Sequence, residues 1–327
     1  MRTRLLHILW EGIGGTERGV LDLTRKLDLE KYTITVAILS RGGSTTDDID
    51  RKNIRVLEFG CSSFLDLRGM FSFYRFLFSN QFDIIVGHQR IFLDSAPLFA
   101  LRPRPVLIFH EHDVVVPKSL KLRLFFSIFG RLYDIFIAVS EDIAANITYT
   151  DCLPARKLVV IENPVDVEGF RSVPKGSFKS SSTCQITIGT VARLVPQKDL
   201  HLFLEVARIL VRWRKELQFV IVGDGPLKEE LKAEAHAKDL DRRITFIGET
   251  NDVPKYINSF DLFMFTSRRE SFGRTIIESL ACEVPVVAVL PIAGGGRDLL
   301  RKLPGVSLVI TRNPEAIAKA AIQLLED

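Results

Sequence analysis

Short apolar runs recur along the chain, each followed by a longer stretch with helical spacing of its apolar residues. In the first half the runs fall at 5–10, 33–39, 54–59, 84–86, 106–109, 135–139 and 158–161. The alternation restarts at 186–191 and continues through 219–222, 244–246, 262–265, 286–289 and 308–310. Helices of about ten to twenty residues fit between most of them. Strand and helix alternating in this way predict α/β architecture with parallel sheets. The 327 residues exceed the usual size of a single core, which favours two domains. A Ser-, Pro-, Gly- and Lys-rich stretch follows Arg171. It predicts an N-terminal domain over 1–172, a linker over 173–183 and a C-terminal domain over 184–327. Two doubly wound Rossmann-like domains facing a central cleft would hold a ligand at the carboxyl ends of both sheets.

Composition narrows the function classes more than it narrows the fold. Hydrophobic residues make up 46% and charged residues 26%, as in an ordinary folded protein. A formal charge of +4, with no arginine-rich tract, gives no footprint for nucleic acid. The cysteines Cys61, Cys152, Cys184 and Cys282 are scattered, without a C-x-x-C pair. That argues against a disulfide framework or structural zinc and predicts a reducing cytoplasm. The opening segment is short, contains His7 and lacks a small-residue cleavage site, so it is expected to be a buried first strand and not a leader. No apolar run reaches the ~18 residues that a spanning helix needs.

The densest candidate chemistry lies at 267–278, Ser-Arg-Arg-Glu-Ser-Phe-Gly-Arg-Thr-Ile-Ile-Glu. An apolar strand candidate leads in and a helix candidate leads out. Glu270 therefore falls on a strand-to-helix turn and Glu278 roughly two helical turns later. The backbone N–H groups of Phe272, Gly273 and Arg274 would lie at a helix start, where an anion is favoured. This suits a phosphorylated, hydroxyl-rich ligand, although two glutamates at such spacing also occur on solvated helix faces.

Five further features fall where this architecture would use them. Gly12-Ile-Gly-Gly-Thr-Glu17 follows the first strand, as a bare turn or as a close approach to a ligand. Arg193 and Lys198 follow the first strand of the second half, and as a pair they would neutralise a diphosphate. Gly223-Asp-Gly-Pro226 reads chiefly as support for the fold, with proline near a helix start. The loop at 246–254 could hold a nucleobase edge through its backbone. Phe109-His-Glu-His-Asp113 gathers metal-ligand residue types, but His110 and His112 are expected to point to opposite sides of an extended segment. No Cys or distant His pattern completes a set, so no metal site is expected. A single histidine lining the cleft is the alternative.

Together these motifs resemble the GT-B glycosyltransferases of retaining family 4, from Leu5 to about Ile322. The strongest match is 267–280 with Asp261, followed by Arg193 with Lys198, by Gly223-Asp-Gly-Pro226, and by Asn163-Pro-Val-Asp166 before the linker. The resemblance implies transfer of a sugar from a nucleotide donor, UDP- or GDP-linked, without a metal or other cofactor. It implies that Glu278 binds the donor ribose, Glu270 the donor-sugar hydroxyls, and Arg193 and Lys198 the diphosphate. Phe272, Gly273 and Arg274 would complete the donor loop, and Gly14 and Gly15 would let the first helix approach the phosphates. His110 would lie near the transferred sugar. The catalytic set implied is thus His110, Arg193, Lys198 and Glu270. Two departures stand out. Asp298 replaces a usual glutamate, and the sequence stops at Asp327, before the helices with which family members commonly cross back to the first domain.

The acceptor side of such a fold belongs mostly to the first domain. There the segments 64–78 and 114–131 are dense in phenylalanine, leucine and valine, with interspersed Arg and Lys. Such composition suits either helices packed on a sheet or a peripheral membrane contact. The second reading predicts a lipid-linked or glycan acceptor at the cytoplasmic face of a membrane. Rival functions are a nucleotide-sugar epimerase or hydrolase, and a donor-binding subunit without turnover.

Overall fold

A computed structural model of the chain describes residues 2–10, 15–40, 54–63, 66–88, 101, 103–112, 130–151, 155–176, 185–294 and 296–326. Two compact units divide the chain, Met1–Pro164 and Val165–Asp327.

The N-terminal unit is built on strands β1 (Thr3–Leu9), β2 (Tyr32–Ser40), β3 (Ile54–Cys61), β4 (Ile84–His88), β5 (Val106–Glu111), β6 (Ile135–Ala138) and β7 (Leu158–Val160). They form a seven-stranded sheet in the order β3-β2-β1-β4-β5-β6-β7, with every adjacent pair parallel. The inner strands are buried on both faces, as in Leu5–Leu9 and Ile34–Leu39, because connecting helices cover both sides of a parallel sheet.

The C-terminal unit repeats the plan with β8 (Thr187–Val191), β9 (Gln218–Val222), β10 (Ile244–Gly248), β11 (Leu262–Phe265), β12 (Val286–Val289) and β13 (Val306–Val309). Its order is β10-β9-β8-β11-β12-β13, again all parallel. Alternate side chains of β9 serve opposite faces. Phe219 and Ile221 pack with Phe203 and Leu210, while Val220 and Val222 pack with Phe263 and Ile276. Each sheet reverses its direction of growth once, between β1 and β4 and between β8 and β11. At such a point the connections leave on opposite faces and open a crevice at the strands' carboxyl ends. The two crevices therefore fall after β1 and β4, and after β8 and β11.

The boundary between the units lies earlier than the end at 172 that composition suggested. The short helix Val167–Arg171 packs on the C-terminal core through buried Phe170. The Phe170 carbonyl accepts from Asn258 Nδ2 at 2.8 Å, and Arg171 Nε donates to the Ala281 carbonyl at 3.4 Å. A compositional linker signal marks where packing stops being dense, not which core the preceding residues join. Residues 177–183 of the expected linker lie outside the described residues.

Candidate functional site

After β8 the chain runs through a single 3-10 turn, Pro196–Lys198, and enters the helix Leu200–Trp213. After β11 it passes through a loop into the helix Arg274–Ala281. These two loops meet. Lys198 Nζ lies 2.7 Å from Glu270 Oε2, with both side chains about four-fifths buried, at 21% and 15% exposure. Bonds to backbone carbonyls hold the meeting point: Arg268 N–H donates to the Gln197 carbonyl at 2.8 Å, and the Thr266 hydroxyl Oγ1 to the Lys198 carbonyl at 3.0 Å. The loop after β12 supports Glu270 from the other side. Glu270 N–H donates to the Ala293 carbonyl at 3.1 Å, and Gly296 N–H to the Glu270 carbonyl at 3.3 Å.

Gly273 turns the chain into the Arg274–Ala281 helix with φ of 88°, a left-handed conformation that favours glycine. Phe272 before it is buried in the core, which fixes the loop. Glu278, 6% exposed, accepts from Arg274 Nε at 2.7 Å, one helical turn away. Both glutamates that the sequence singled out are thus engaged with cations, Glu270 with Lys198 and Glu278 with Arg274.

Arg193 is exposed, and its position is set by backbone alone. Ala192 N–H donates to the Val222 carbonyl at 3.0 Å and Leu194 N–H to the Asp224 carbonyl at 2.9 Å. The glycines of 223–226 permit that lacing, since a Cβ on Gly225 would come within 2.6 Å of the Leu194 carbonyl oxygen. Pro226 lies just ahead of the helix Lys228–Ala237. The loop at 246–254 joins the same edge through a bridge between Gly248 and Gly223.

Three residues that the sequence did not single out complete this site. Asp199 has φ of 48° and a buried carboxylate. That carboxylate accepts from Arg268 Nε at 2.8 Å and from Arg312 at 2.7 Å. Arg312 also donates to the carbonyls of Thr266 and Ser267. One guanidinium therefore ties the residue after Lys198 to the strand end before Glu270. No local motif announces Arg312, because its partner lies 113 residues away.

In the N-terminal unit, Gly14 lies outside the described residues, and Gly15 opens the helix Gly15–Lys26. His110 is on β5 and buried. The expectation that His110 and His112 face apart is wrong: residues two apart on an extended strand share a face, and the two rings lie with centroids 3.8 Å apart. They join His88, the Cα partner of His110 on β4, and His7 on β1. His7 Nδ1 lies 2.9 Å from His88 Nε2, and His88 Nδ1 lies 2.9 Å from His112 Nε2. All four rings are buried. Burial lowers the His7 ring to about 4 and the His112 ring to about 3. Burial first, then the neighbouring imidazoles, hold His88 and His110 well below the usual histidine range.

The phenylalanine-rich stretch forms the helix Leu67–Ser79, whose Met70, Phe73 and Leu77 are buried. Leu67, Phe71 and Phe78 are exposed, with Arg68 and Arg75 exposed beside them. The packing reading holds for the buried face, and the opposite face is exposed, apolar and basic. Residues 64–65 and 114–129 lie outside the described residues. Among the described residues no helix is long and apolar enough to cross a membrane.

Comparison with known proteins addresses both units. A family described as "Glycosyltransferase Family 4" matches residues 13–168, and one described as "Glycosyl transferases group 1" matches residues 177–327. The chain is 25% identical over 313 residues to the UDP-Gal:alpha-D-GlcNAc-diphosphoundecaprenol alpha-1,3-galactosyltransferase of Escherichia coli, covering 88% of this chain and 79% of that protein. It is 29% identical over 140 residues to the poly(ribitol-phosphate) alpha-N-acetylglucosaminyltransferase of Staphylococcus aureus, covering 43% of this chain and only 28% of that one. Among solved structures it resembles Anabaena Alr3699/HepE in complex with UDP and glucose. There the TM-score is 0.80 at 21% identity, with 100% of this chain and 90% of that one covered.

Proposed function

Because the chain belongs to the GT-B glycosyltransferases of the family 4 type, we propose that it moves a hexosyl unit from a nucleotide-sugar donor to a glycan or lipid-linked acceptor. The observation that carries this reading is the Lys198–Glu270 pair at the carboxyl edge of β8 and β11. One cation and one carboxylate fixed 2.7 Å apart suit a ligand with an anionic diphosphate beside a hydroxyl-bearing ring.

In the proposed reaction Lys198 and Arg193 neutralise the donor diphosphate. The N–H groups of Gly273 and Arg274 add to the positive potential at the helix start. Glu270 accepts hydrogen bonds from the donor sugar, and Glu278 from the ribose. The C1–O bond to the diphosphate breaks as the acceptor oxygen bonds to C1 on the same face, so configuration is retained. The acceptor proton passes to the departing phosphate oxygen. Fixed donors aimed at that developing charge supply the rate enhancement, and the two cations make a metal unnecessary for this step.

The acceptor reading rests on the exposed basic and apolar stripe of the Leu67–Ser79 helix and on the E. coli relative, named for a diphosphoundecaprenol-linked sugar. Both support a peripheral site at the cytoplasmic face of a membrane.

The test is a screen of UDP-, GDP- and ADP-hexoses in EDTA, first by thermal shift and then with labelled donor plus lipid-extracted or oligosaccharide acceptors. Transfer with the donor's anomeric configuration kept is expected. Release of free sugar, or epimerisation without any acceptor, would replace the proposal with the hydrolase or epimerase reading. Donor binding with no turnover on any acceptor would favour a donor-binding subunit.

A further inference from the structure

Four of the six histidines in the chain lie in one buried group, although they come from three strands and the residue after the third, and span residues 7 to 112. The group sits at the carboxyl side of β1, β4 and β5, across the point where the N-terminal sheet reverses its order. The implied donor chemistry uses His110 alone of the four, and ordinary core packing does not account for the group. Imidazole is a costly filler for an apolar core, because each nitrogen left without a partner is desolvated with nothing gained in return. Here Nε2 of His7 and Nε2 of His110 are buried without a hydrogen-bond partner.

We propose that His88, His110 and His112 bind one divalent transition-metal ion of borderline softness, with zinc the best fit, and that His7 is the outer partner that orients His88. Among the described residues, these three offer one nitrogen each within 4.8 Å of one another. Three nitrogens around tetrahedral zinc lie roughly 3.4 Å apart, from Zn–N bonds of about 2.0–2.1 Å. Closing the set therefore asks for ring rotations and small shifts, not a rearrangement of the sheet.

The hydrogen bonds already present assign the roles. His88 Nε2 faces His7 Nδ1 at 2.9 Å; in the tautomer the proposal uses, the N–H of His88 Nε2 donates to His7 and Nδ1 of His88 keeps its lone pair. That lone pair points at His112 Nε2, also at 2.9 Å. His112 Nε2 then carries the N–H of that bond, and an entering ion replaces this proton, which moves to His112 Nδ1 or to solvent; both nitrogens then ligate and His110 supplies the third. A ligating imidazole that donates its other N–H to a fixed neighbour is the usual supporting arrangement around zinc. Burial keeps the rings neutral, which is the ligating form. Three imidazoles of one type favour zinc, copper or nickel over magnesium or calcium, which prefer oxygen. The site lies wholly in the N-terminal unit and shares only His110 with the implied catalytic set.

The experiment uses the full chain without an affinity tag, stripped with chelator and titrated with zinc by calorimetry and with cobalt by visible absorption. One equivalent of zinc is expected, with the intense d–d bands of tetrahedral cobalt and a thermal midpoint raised by zinc but not by magnesium. His88→Asn and His110→Asn are expected to weaken zinc at least 10-fold, and His7→Asn to weaken it less. The double variant His201→Gln/His236→Gln, which removes the two histidines outside the group, is expected to bind as the parent does. No zinc equivalent in the parent, only weak octahedral cobalt bands, or loss of binding in the His201/His236 variant instead would each overturn the proposal. Should the cluster variants unfold, the cobalt spectrum and the zinc-specific thermal shift of the parent still decide it.

Discussion

Lys198 and Glu270, 72 residues apart in sequence, meet at 2.7 Å in a part-buried ion pair that joins the loop after β8 to the loop after β11. Neither side chain is carried by a regular helix interior or a strand. Each sits at the first bend beyond the sheet, and the pair is positioned by the Arg268 N–H, the Thr266 hydroxyl and the Ala293 carbonyl. A donor diphosphate arriving at Lys198 would find the ammonium already held, with little side-chain freedom left to lose.

Removing that cation should be costly to turnover. Lys198→Ala is expected to lower kcat/KM for the donor by about 10²–10³, the usual loss for one preorganised charge donor. Glu270→Gln keeps the shape and loses the charge. Because the two groups contact each other, the double variant should lose less than the product of the single losses. Steady-state kinetics on the four proteins checks this. Independent, multiplicative losses would mean that the pair does not act as a unit.

Arg312 touches nothing that reacts, yet it holds the carboxylate of Asp199 and the carbonyls of Thr266 and Ser267. Among the described residues, Arg312→Ala leaves the Asp199 carboxylate with Arg268 alone, whose side chain is 55% exposed. The expected loss is about 1.5–3 kcal/mol of stability, the range for a hydrogen bond to a charged group. Looser anchoring of Lys198 should also raise KM for the donor. Arg312→Lys should recover part of the stability and less of the KM, since an ammonium cannot span both partners as a guanidinium fork does. Urea unfolding and donor titration of the three proteins separate these effects; an unchanged KM in Arg312→Ala would remove the positioning role.

The strands were legible because a parallel sheet covered on both faces turns each strand into an apolar run. All thirteen expected runs contain or overlap a strand. Lys198, Glu270 and Gly273 were legible for a different reason: each stands just beyond such a run, where loops at a sheet's carboxyl edge carry ligands. Asp199, Arg268 and Arg312 were not, since their pairing depends on three loops brought together by the sheet order. The histidine group was misread through geometry. Two-residue spacing on a strand puts His110 and His112 on one face, and His7 and His88 come from strands that only the topology makes neighbours. The unit boundary was displaced because Phe170 precedes the polar stretch yet buries into the C-terminal core.

Asp66 gives a pH signature in the N-terminal unit. It caps the Leu67–Ser79 helix by accepting from the N–H groups of Arg68 and Gly69, and it also accepts from Ser62 N–H and Oγ. These bonds, led by the one from the Ser62 backbone, hold the carboxyl at about 2, below the ordinary aspartate value of 3.8. A depressed carboxylate contributes stability that is complete above pH 4 and is lost as pH falls toward 2. Asp66→Ala should therefore lie below the parent in urea midpoint at pH 7. The gap should narrow as pH drops through 4 toward 2. A gap that is constant across that range would exclude the carboxylate as its source.

The exposed stripe of the same helix should bind vesicles. Leu67, Phe71 and Phe78 can enter the headgroup boundary while Arg68 and Arg75 meet anionic lipid. Phe71→Ser with Phe78→Ser removes about 1.5–3 kcal/mol of apolar transfer per ring, so membrane partitioning should fall more than 10-fold. Stability should change little, because neither ring is buried. Flotation with phosphatidylglycerol vesicles against neutral vesicles measures it. Equal flotation of parent and variant would place any membrane contact elsewhere on the chain.

Gly223 links the fold of the C-terminal unit to the position of Arg193. Its φ is 132°, and a Cβ added there would meet the Ala192 carbonyl oxygen at 2.0 Å. Ala192 is the residue that delivers Arg193 to the carboxyl edge, and its N–H is bonded to the Val222 carbonyl. Gly223→Ala must therefore both strain its own backbone and push that loop away. Gly176 provides the control, since it also has positive φ, 77°, but nothing lies within 4 Å of its Cβ position. Gly176→Ala should show the backbone term alone, about 1 kcal/mol. Gly223→Ala should cost about 3 kcal/mol or more, roughly 6–12 °C in Tm for a unit of this size. Because the displaced loop carries Arg193, Gly223→Ala should also weaken donor binding in the molecules that remain folded, measured by calorimetry well below the lowered Tm. Equal destabilisation in the two alanine variants would mean that the loop yields freely, and Arg193 would then owe its position to something other than the approach of Ala192 to Gly223.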